Sequence, residues 1–275
     1  MSSILTNNSA MVALQTLKSI NMNLADTQNQ ISTGKEIASA KDNAAIWAIS
    51  KVMEADVAGL DAVSKSLDVG ESTLGVAAAG ADAIVETLKE MEALAVAGGS
   101  STADFTKIQA QMAEKVAQIA DTIAASQFNG INLLSAAGDD ITVVSSINRV
   151  GAANATLDTI TVTSLDFETN IDTAGMTAIT DAATASTAFD EIQAMLTTAL
   201  DGAATIGAAA SRVSDQSAFV SKLNDALTSG IGSLVDADME AASARLQALQ
   251  TQQQLGVQAL SIANQAPQTI LSLFR

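Results

Sequence analysis

FDEIQAMLTTALDGAATIGAAASRVSDQSAFVSKLNDALTSGIGSL, residues 189–234, decides how the chain is read. Alternating steps of three and four pick out Phe189, Ile192, Leu196, Ala199, Ala203, Ile206, Ala210, Val213, Ser217, Val220, Asn224, Leu227, Ile231 and Leu234. All but Ser217 and Asn224 are apolar or alanine. That alternation lays them along one narrow stripe of a helix, the seam of a coiled coil. No proline interrupts the run, and at 1.5 Å per residue it makes a helix roughly 65–70 Å long. Such a rod needs a partner along its length.

Working outward, a second stripe of the same kind precedes it. Ile46, Ile49, Met53, Asp56, Leu60, Val63, Leu67, Gly70, Leu74 and Ala77 continue through Ala81, Ile84, Leu88, Met91 and Ala95. Gly70, Gly75 and Gly80 weaken this helix or let a neighbour approach it closely; close packing is the reading adopted. Gly75 and Gly80 have phosphate-loop spacing, but Ala81-Asp82 stands where Lys-Ser/Thr is needed. Gly98-Gly99-Ser100-Ser101-Thr102 is a turn. Phe105, Met112, Val116, Ile119 and Ile123 form one face of a third helix, antiparallel to the second, and Phe128-Asn129-Gly130-Ile131-Asn132 ends it.

The period then changes. Ile141-Thr142-Val143-Val144 and Thr159-Ile160-Thr161-Val162-Thr163 are β-branched, with Gly151 and Asn154 between them, and predict a β-hairpin. Residues 139–191 carry nine acids against the single base Arg149. Two readings stand for this insert: a solvated surface, or an exposed face for modification or recognition. Asn154-Ala155-Thr156 has the pattern of a sequon, which makes Asn154 and Thr156 candidate glycosylation positions.

The ends are weaker helices. Leu14, Leu17, Asn21, Leu24, Gln28 and Ile31 keep the three-four step with polar interruptions, and Gly34 closes the segment. After Asp236-Ala237-Asp238 a new register runs through Met239, Ala242, Leu246, Leu249, Gln253, Gly256, Leu260 and Ala263. Pro267 kinks or ends it, before an apolar tip of Ile270, Leu271, Leu273 and Phe274 on Arg275. Helices this polar are marginal alone and order against a partner. The expected fold is mostly α: a long-helix coiled-coil bundle with a small β-hairpin insert, whose termini pair as a second coiled coil. Residues 1–44 with 236–275 are expected to form the terminal domain. Residues 45–138 with 189–235 form the bundle, and 139–188 the insert.

Composition excludes several chemistries. The 275 residues include no cysteine, histidine or tyrosine, one proline, and only 3% aromatics. Disulfides, thiolate nucleophiles, Ser–His triads and imidazole acid–base catalysis are therefore absent. Acid pairs such as Glu90/Glu92 and Asp236/Asp238 are two apart and point to different helix faces. No enzymatic activity, cofactor or metal is expected. A net charge of −17 opposes nucleic acid and anionic membrane. No apolar run reaches membrane-spanning length. Met1-Ser2-Ser3-Ile4 does not open a cleaved secretory signal.

Ser3-Ile4-Leu5-Thr6-Asn7, Ile31-Ser32-Thr33-Gly34-Lys35 and Ser39-Ala40-Lys41-Asp42-Asn43-Ala44-Ala45 stand at one end. Leu234-Val235-Asp236-Ala237-Asp238, Ala263-Asn264-Gln265-Ala266-Pro267-Gln268 and Leu271-Ser272-Leu273-Phe274-Arg275 stand at the other, with Phe128-Asn129-Gly130-Ile131 in the middle. By these motifs, in order and over about four-fifths of its length, the chain resembles bacterial flagellin.

The resemblance implies a subunit that self-assembles into the extracellular flagellar filament for swimming. The termini would form an inner tube, disordered in the free subunit, and the strong helices an outer tube. Export would run unfolded through the flagellar channel, involving the export apparatus and an export chaperone, with hook-associated junction and cap proteins as further partners. With so short an insert the filament should be thin and smooth. Inner-tube packing is assigned to Leu14, Leu17, Leu24, Ile31, Leu246, Leu249, Leu260, Ile270, Leu273 and Arg275. A hook-associated junction protein is the alternative. One departure stands out in Lys89-Glu90-Met91-Glu92-Ala93-Leu94-Ala95-Val96. Glu90 and Glu92 occupy positions where flagellins recognised by an innate Toll-like receptor carry arginine. Reversed charge opposes that contact, so recognition is not expected; alphaproteobacterial flagellins share the pattern.

Overall fold

The computed structural model describes residues 7–136, 138, 140–149, 155–171 and 173–272, with side chains as far as residue 265. Its elements are helices α1 (Asn8–Thr33), α2 (Ala44–Gly98) and α3 (Phe105–Ala125), strands β1 (Ile141–Asn148) and β2 (Thr156–Val162), and helices α4 (Phe167–Asn170), α5 (Ala182–Val235) and α6 (Met239–Ser272). The chain divides into two compact units: residues 1–55 with 226–275, and residues 56–225. The division falls inside α2 and α5.

Helix starts are set by short polar side chains that accept otherwise unbonded N–H groups. Asn7 accepts from Ala10 N at 3.1 Å, and Asn43 from Ala45 N and Ile46 N at 3.2 Å. Asp104 accepts from Lys107 N at 3.2 Å, and Asp181 from Thr184 N at 2.8 Å. Asp238, at the joint the sequence marks, accepts from Glu240 N at 3.0 Å and opens α6. Gly34 ends α1 with φ +69°, a conformation that favours glycine.

The unit of residues 56–225 holds the core. Along α2 the predicted seam is buried from Leu60 to Ala95, and Leu67, Leu74, Ile84, Leu88 and Met91 are fully enclosed. Along α5, Ile192, Ala199, Ile206, Val213 and Val220 are buried at every second seam step, and Leu196, Ala203, Ala210 and Ser217 between them are half-buried. The side-chain amide of Gln193 donates to Glu92 and that of Asn224 to Asp61, so the two helices run antiparallel here. Glu90 pairs with Lys115, which sets α3 antiparallel to α2. Met112, Ile119 and Ile123 are the buried face of α3.

The β-hairpin forms as predicted and is packed down onto the bundle. Ile141 opposes Val162 and Val143 opposes Ile160, with a bulge between Val144 and Ser146. Strand alternation turns Ile141, Val143, Ile160 and Val162 inward. The unpaired bulge residue Ser145 is held through its carbonyl, which accepts from Gln216 Nε2 at 2.8 Å; Val144 N donates to Ser66 Oγ at 3.1 Å. Glycines of α2 make the seats. A side chain at Gly70 would stand 2.6 Å from Val143, one at Gly59 would strike Ile147, and one at Gly80 would strike Ser126 and Leu134. Gly202 of α5 receives the ring of the fully buried Phe167 in the same way. Gly75 has open space around it and has no such role. The acidic insert is thus one solvated face over a fixed apolar one, tied further by Arg149 to Asp56 at 2.8 Å.

Candidate functional site

The other unit brings the two ends of the chain together. Helices α1 and α6 pack against each other. A short ladder starts the pairing: Ala237 N donates to Gly34 O at 2.9 Å, and Glu36 N to Val235 O at 2.7 Å. Further along, Gln253 Nε2 donates to Asn21 Oδ1 at 2.7 Å, and Asn7 Nδ2 to Ala263 O at 2.8 Å. The partners move in opposite directions along the chain, so α1 and α6 are antiparallel.

The last of these contacts answers a backbone defect. Pro267 has no N–H, so the carbonyl four residues earlier, Ala263 O, has no intrahelical donor. The amide of Asn7 donates to that oxygen while its own Oδ1 caps α1. Helix α6 accordingly continues past Pro267 to Ser272. Pro267 does not end the helix; it frees an acceptor that the opposite terminus uses.

The seam between α1 and α6 is shallow. On α1 the covered residues are Ala10, Ala13, Leu17, Ile20, Leu24, Thr27 and Ile31, and only Thr27 is buried. This is the three-four alternation in the opposite phase. Leu17, Leu24 and Ile31 are in both stripes, while Ala13, Ile20 and Thr27 replace Leu14, Asn21 and Gln28. On α6 the seam is as predicted from Ala242 to Ala263, with Ala242 and Leu249 buried, Leu246 and Leu260 half-buried, and Met239 exposed. Gly256 faces Leu17, and a methyl there would stand 3.1 Å from Leu17 Cδ1. The small residue lets the two backbones approach.

Among polar residues, the pair also leaves large apolar side chains uncovered. Met11, Val12, Leu14 and Met22 project from α1, and Leu255, Val257 and Ile262 from α6, each more than half exposed. Leu14, at 58% exposure, belongs to this outer set. Isolated exposed apolar side chains are ordinary, but several on one helix pair make a surface that another protein surface has to cover. The side chain of Ile270 lies outside the described residues, as do Leu273, Arg275 and Asn154. Sequence reasoning missed Met11, Val12, Met22, Leu255, Val257 and Ile262. Their only signal was that they are apolar outside the chosen stripe.

The other positions singled out lie on the bundle. Glu90 is half exposed and paired with Lys115; Glu92 accepts from Gln193 Nε2 at 3.4 Å. Thr156 is exposed at the start of β2, its hydroxyl donating to Asn148 O at 3.3 Å. Among the described residues no helix is long and apolar enough to cross a membrane.

The terminal unit is a pair of long antiparallel helices that leaves several large apolar side chains exposed. Residues 4–139 match the family model of the bacterial flagellin N-terminal helical region, and residues 189–274 that of the C-terminal helical region. Over all of both chains the sequence is 43% identical to a flagellin of Brucella melitensis and 35% to Flagellin C of Rhizobium meliloti. It is 40% identical to Flagellin FljM of Caulobacter vibrioides, over 100% of this chain and 99% of that one. The chain belongs to the bacterial flagellin family. It is therefore a structural subunit of the extracellular flagellar filament and not an enzyme. No observation favours the junction-protein alternative.

Proposed function

We propose that α1 and α6 are the polymerising element and form an inner tube, and that residues 56–225 form the outer layer around it. The observation that carries this is the apolar outer face of the helix pair: Met11, Val12, Leu14, Met22, Leu255, Val257 and Ile262 have no cover within the subunit. At about 25 cal/mol per Å² of apolar surface removed from water, covering such a face supplies the driving force for addition. Leu17, Leu24, Ile31, Leu246, Leu249 and Leu260 hold the two helices in register; Ile270, Leu273 and Arg275, whose side chains lie outside the described residues, are assigned to the same inner tube on the sequence alone. Because the surfaces that meet differ, addition is head to tail and does not close, which gives a helical fibre.

The pair encloses so little that it orders fully only on joining its neighbours. That fits passage of the subunit, unfolded, through the export apparatus, with an export chaperone covering the same helices beforehand. Junction and cap proteins then bound the polymer at its ends. Acidic Glu90 and Glu92 leave Toll-like receptor recognition without its cationic contact, and Thr156 with Asn154 is the place for any glycan.

Deletion of residues 256–275 tests the assignment. The truncated protein should not elongate filament seeds, while the 56–225 bundle keeps its cooperative thermal transition. Filaments formed by the truncated chain would sink the proposal.

A further inference from the structure

The methionines most open to solvent lie on the helix pair, where Met11 is 59% exposed, Met22 53% and Met239 43%. In the bundle Met91 and Met112 are wholly enclosed and Met195 is 7% exposed. Met53 of α2 and Met176, ahead of α5, are half-buried. The thioethers that an oxidant reaches most readily thus lie on the terminal helices.

A two-electron oxidant such as hydrogen peroxide transfers one oxygen to the thioether. The sulfur lone pair attacks the peroxide, the O–O bond breaks, an S–O bond forms, and water leaves. The product replaces an apolar group by a polar, chiral sulfoxide. In the free subunit that change has little consequence, since each of the three side chains is already in water. On a surface that must be covered, the new oxygen loses its water and needs a partner that an apolar neighbour does not offer.

We propose that Met11, Met22 and Met239 are modification sites through which methionine oxidation, reversible by sulfoxide reduction, controls whether a free subunit can join the filament. The enclosed methionines leave the bundle folded throughout, so an oxidised subunit is assembly-incompetent rather than denatured. Once a subunit is incorporated, the same residues are covered and protected. The inference rests on the assembly face proposed above, which holds Met11 and Met22 and to which it adds Met239 at the start of α6.

The experiment uses the full-length chain. Free subunits are treated with graded hydrogen peroxide, mapped by peptide mass spectrometry, and added to filament seeds. Met11, Met22 and Met239 should oxidise first, with Met91, Met112 and Met195 intact and the thermal transition unchanged. Elongation should slow by about tenfold or more for each buried sulfoxide left unpaired. Treatment with methionine sulfoxide reductases and a thiol reductant should restore it. The variant M11L/M22L/M239L should elongate after peroxide as it did before; should that variant not assemble at all, the reductase arm decides alone. Unchanged elongation by subunits carrying all three sulfoxides overturns the proposal, as does a failure of reduction to restore growth. Peroxide treatment of finished filaments separates the two ideas. Equal oxidation of the three residues in filament and free subunit overturns the assembly face itself. Protection in the filament with no effect on growth overturns only the oxidation control.

Discussion

The same three-four alternation runs through both units, and it leads to opposite outcomes. In residues 56–225 every predicted seam position on α2 from Leu60 to Ala95 is buried, and the largest fully enclosed side chains of the molecule lie there. In the terminal unit Thr27, Ser50, Val235, Ala242 and Leu249 are the only buried residues among those described. The difference lies in the number of neighbours. A stripe enclosed on several sides becomes a core, while a stripe that meets one other helix stays half wet. Stability of the subunit resides in the first unit, and the second keeps its apolar surface for other copies.

Alanine substitutions break this comparison most directly. Leu67→Ala removes a fully enclosed side chain and should destabilise the bundle by about 2–5 kcal/mol, read from the denaturant midpoint. Leu17→Ala, half-buried against Gly256, should leave that midpoint within about 0.5 kcal/mol yet sharply reduce seeded elongation. Equal losses of stability would erase the distinction between a folding unit and an assembling one.

The glycine seats come next. Gly202→Leu drives a side chain into the ring of Phe167, and Gly70→Leu into Val143. Overpacking of this kind should cost about 1–3 kcal/mol. Gly75→Leu, in open space, should raise or preserve helix stability, since glycine is the poorer helix former. Comparable losses at all three positions would mean that the seats do not hold the hairpin.

The architecture was legible in the sequence, and its failures are instructive; they are most frequent in the terminal unit, although on α5 Ala188 and Met195 are buried beside the half-buried Phe189 and Leu196. Leu14, Asn21 and Gln28 were read as seam, but Ala13, Ile20 and Thr27 are covered. Ile49 is 54% exposed and its neighbour Ser50 is buried; Leu234 is exposed and Val235 is buried. Each slip is one residue. Along α2 from Leu60 to Ala95, seam position and enclosure coincide, so the pattern has one reading there. At the ends apolar residues spread over a wider arc than one stripe, because faces other than the seam are also apolar, and α6 with its small Gly256 chooses among them. The hairpin was legible from its β-branched runs, but its attachment was not. That depended on which glycines had something seated on them, and Gly75 reads the same as Gly70 in sequence.

A smaller effect probes how the ends are closed. Asn7→Ala removes the donor to Ala263 O, and Pro267→Ala restores that carbonyl's intrahelical donor. The two substitutions should therefore not add: Asn7→Ala should cost about 1 kcal/mol less in the Pro267→Ala background. Fluorescence of the lone Trp47, half-buried in the same unit, is the readout. Additive losses would show that Asn7 acts through its cap on α1 alone.

The smallest expected effect concerns pH. Hydrogen bonds from the backbone and hydroxyl of Thr184, then from the Ala183 backbone, hold the Asp181 carboxyl below its ordinary value of 3.8. Bonds from Ser39 and Ala38 do the same for Asp42 in the terminal unit. A carboxylate whose folded value is depressed stabilises the fold fully above its unfolded value, and that contribution is lost as pH falls through the folded one. Asp181→Ala should therefore lower the bundle's melting temperature at pH 7, and the gap should narrow as the pH drops below 3.8. Asp42→Ala should leave the bundle's melting temperature unmoved at every pH, because the turn it closes lies in the other unit. The screen must be run in dilute protein, since a chain of net charge −17 approaches neutrality near its pI of 4.1 and loses the repulsion that keeps free subunits apart. A gap at Asp181 that persists undiminished to pH 2 would show that the residue acts through its shape in the turn, and not through its charge.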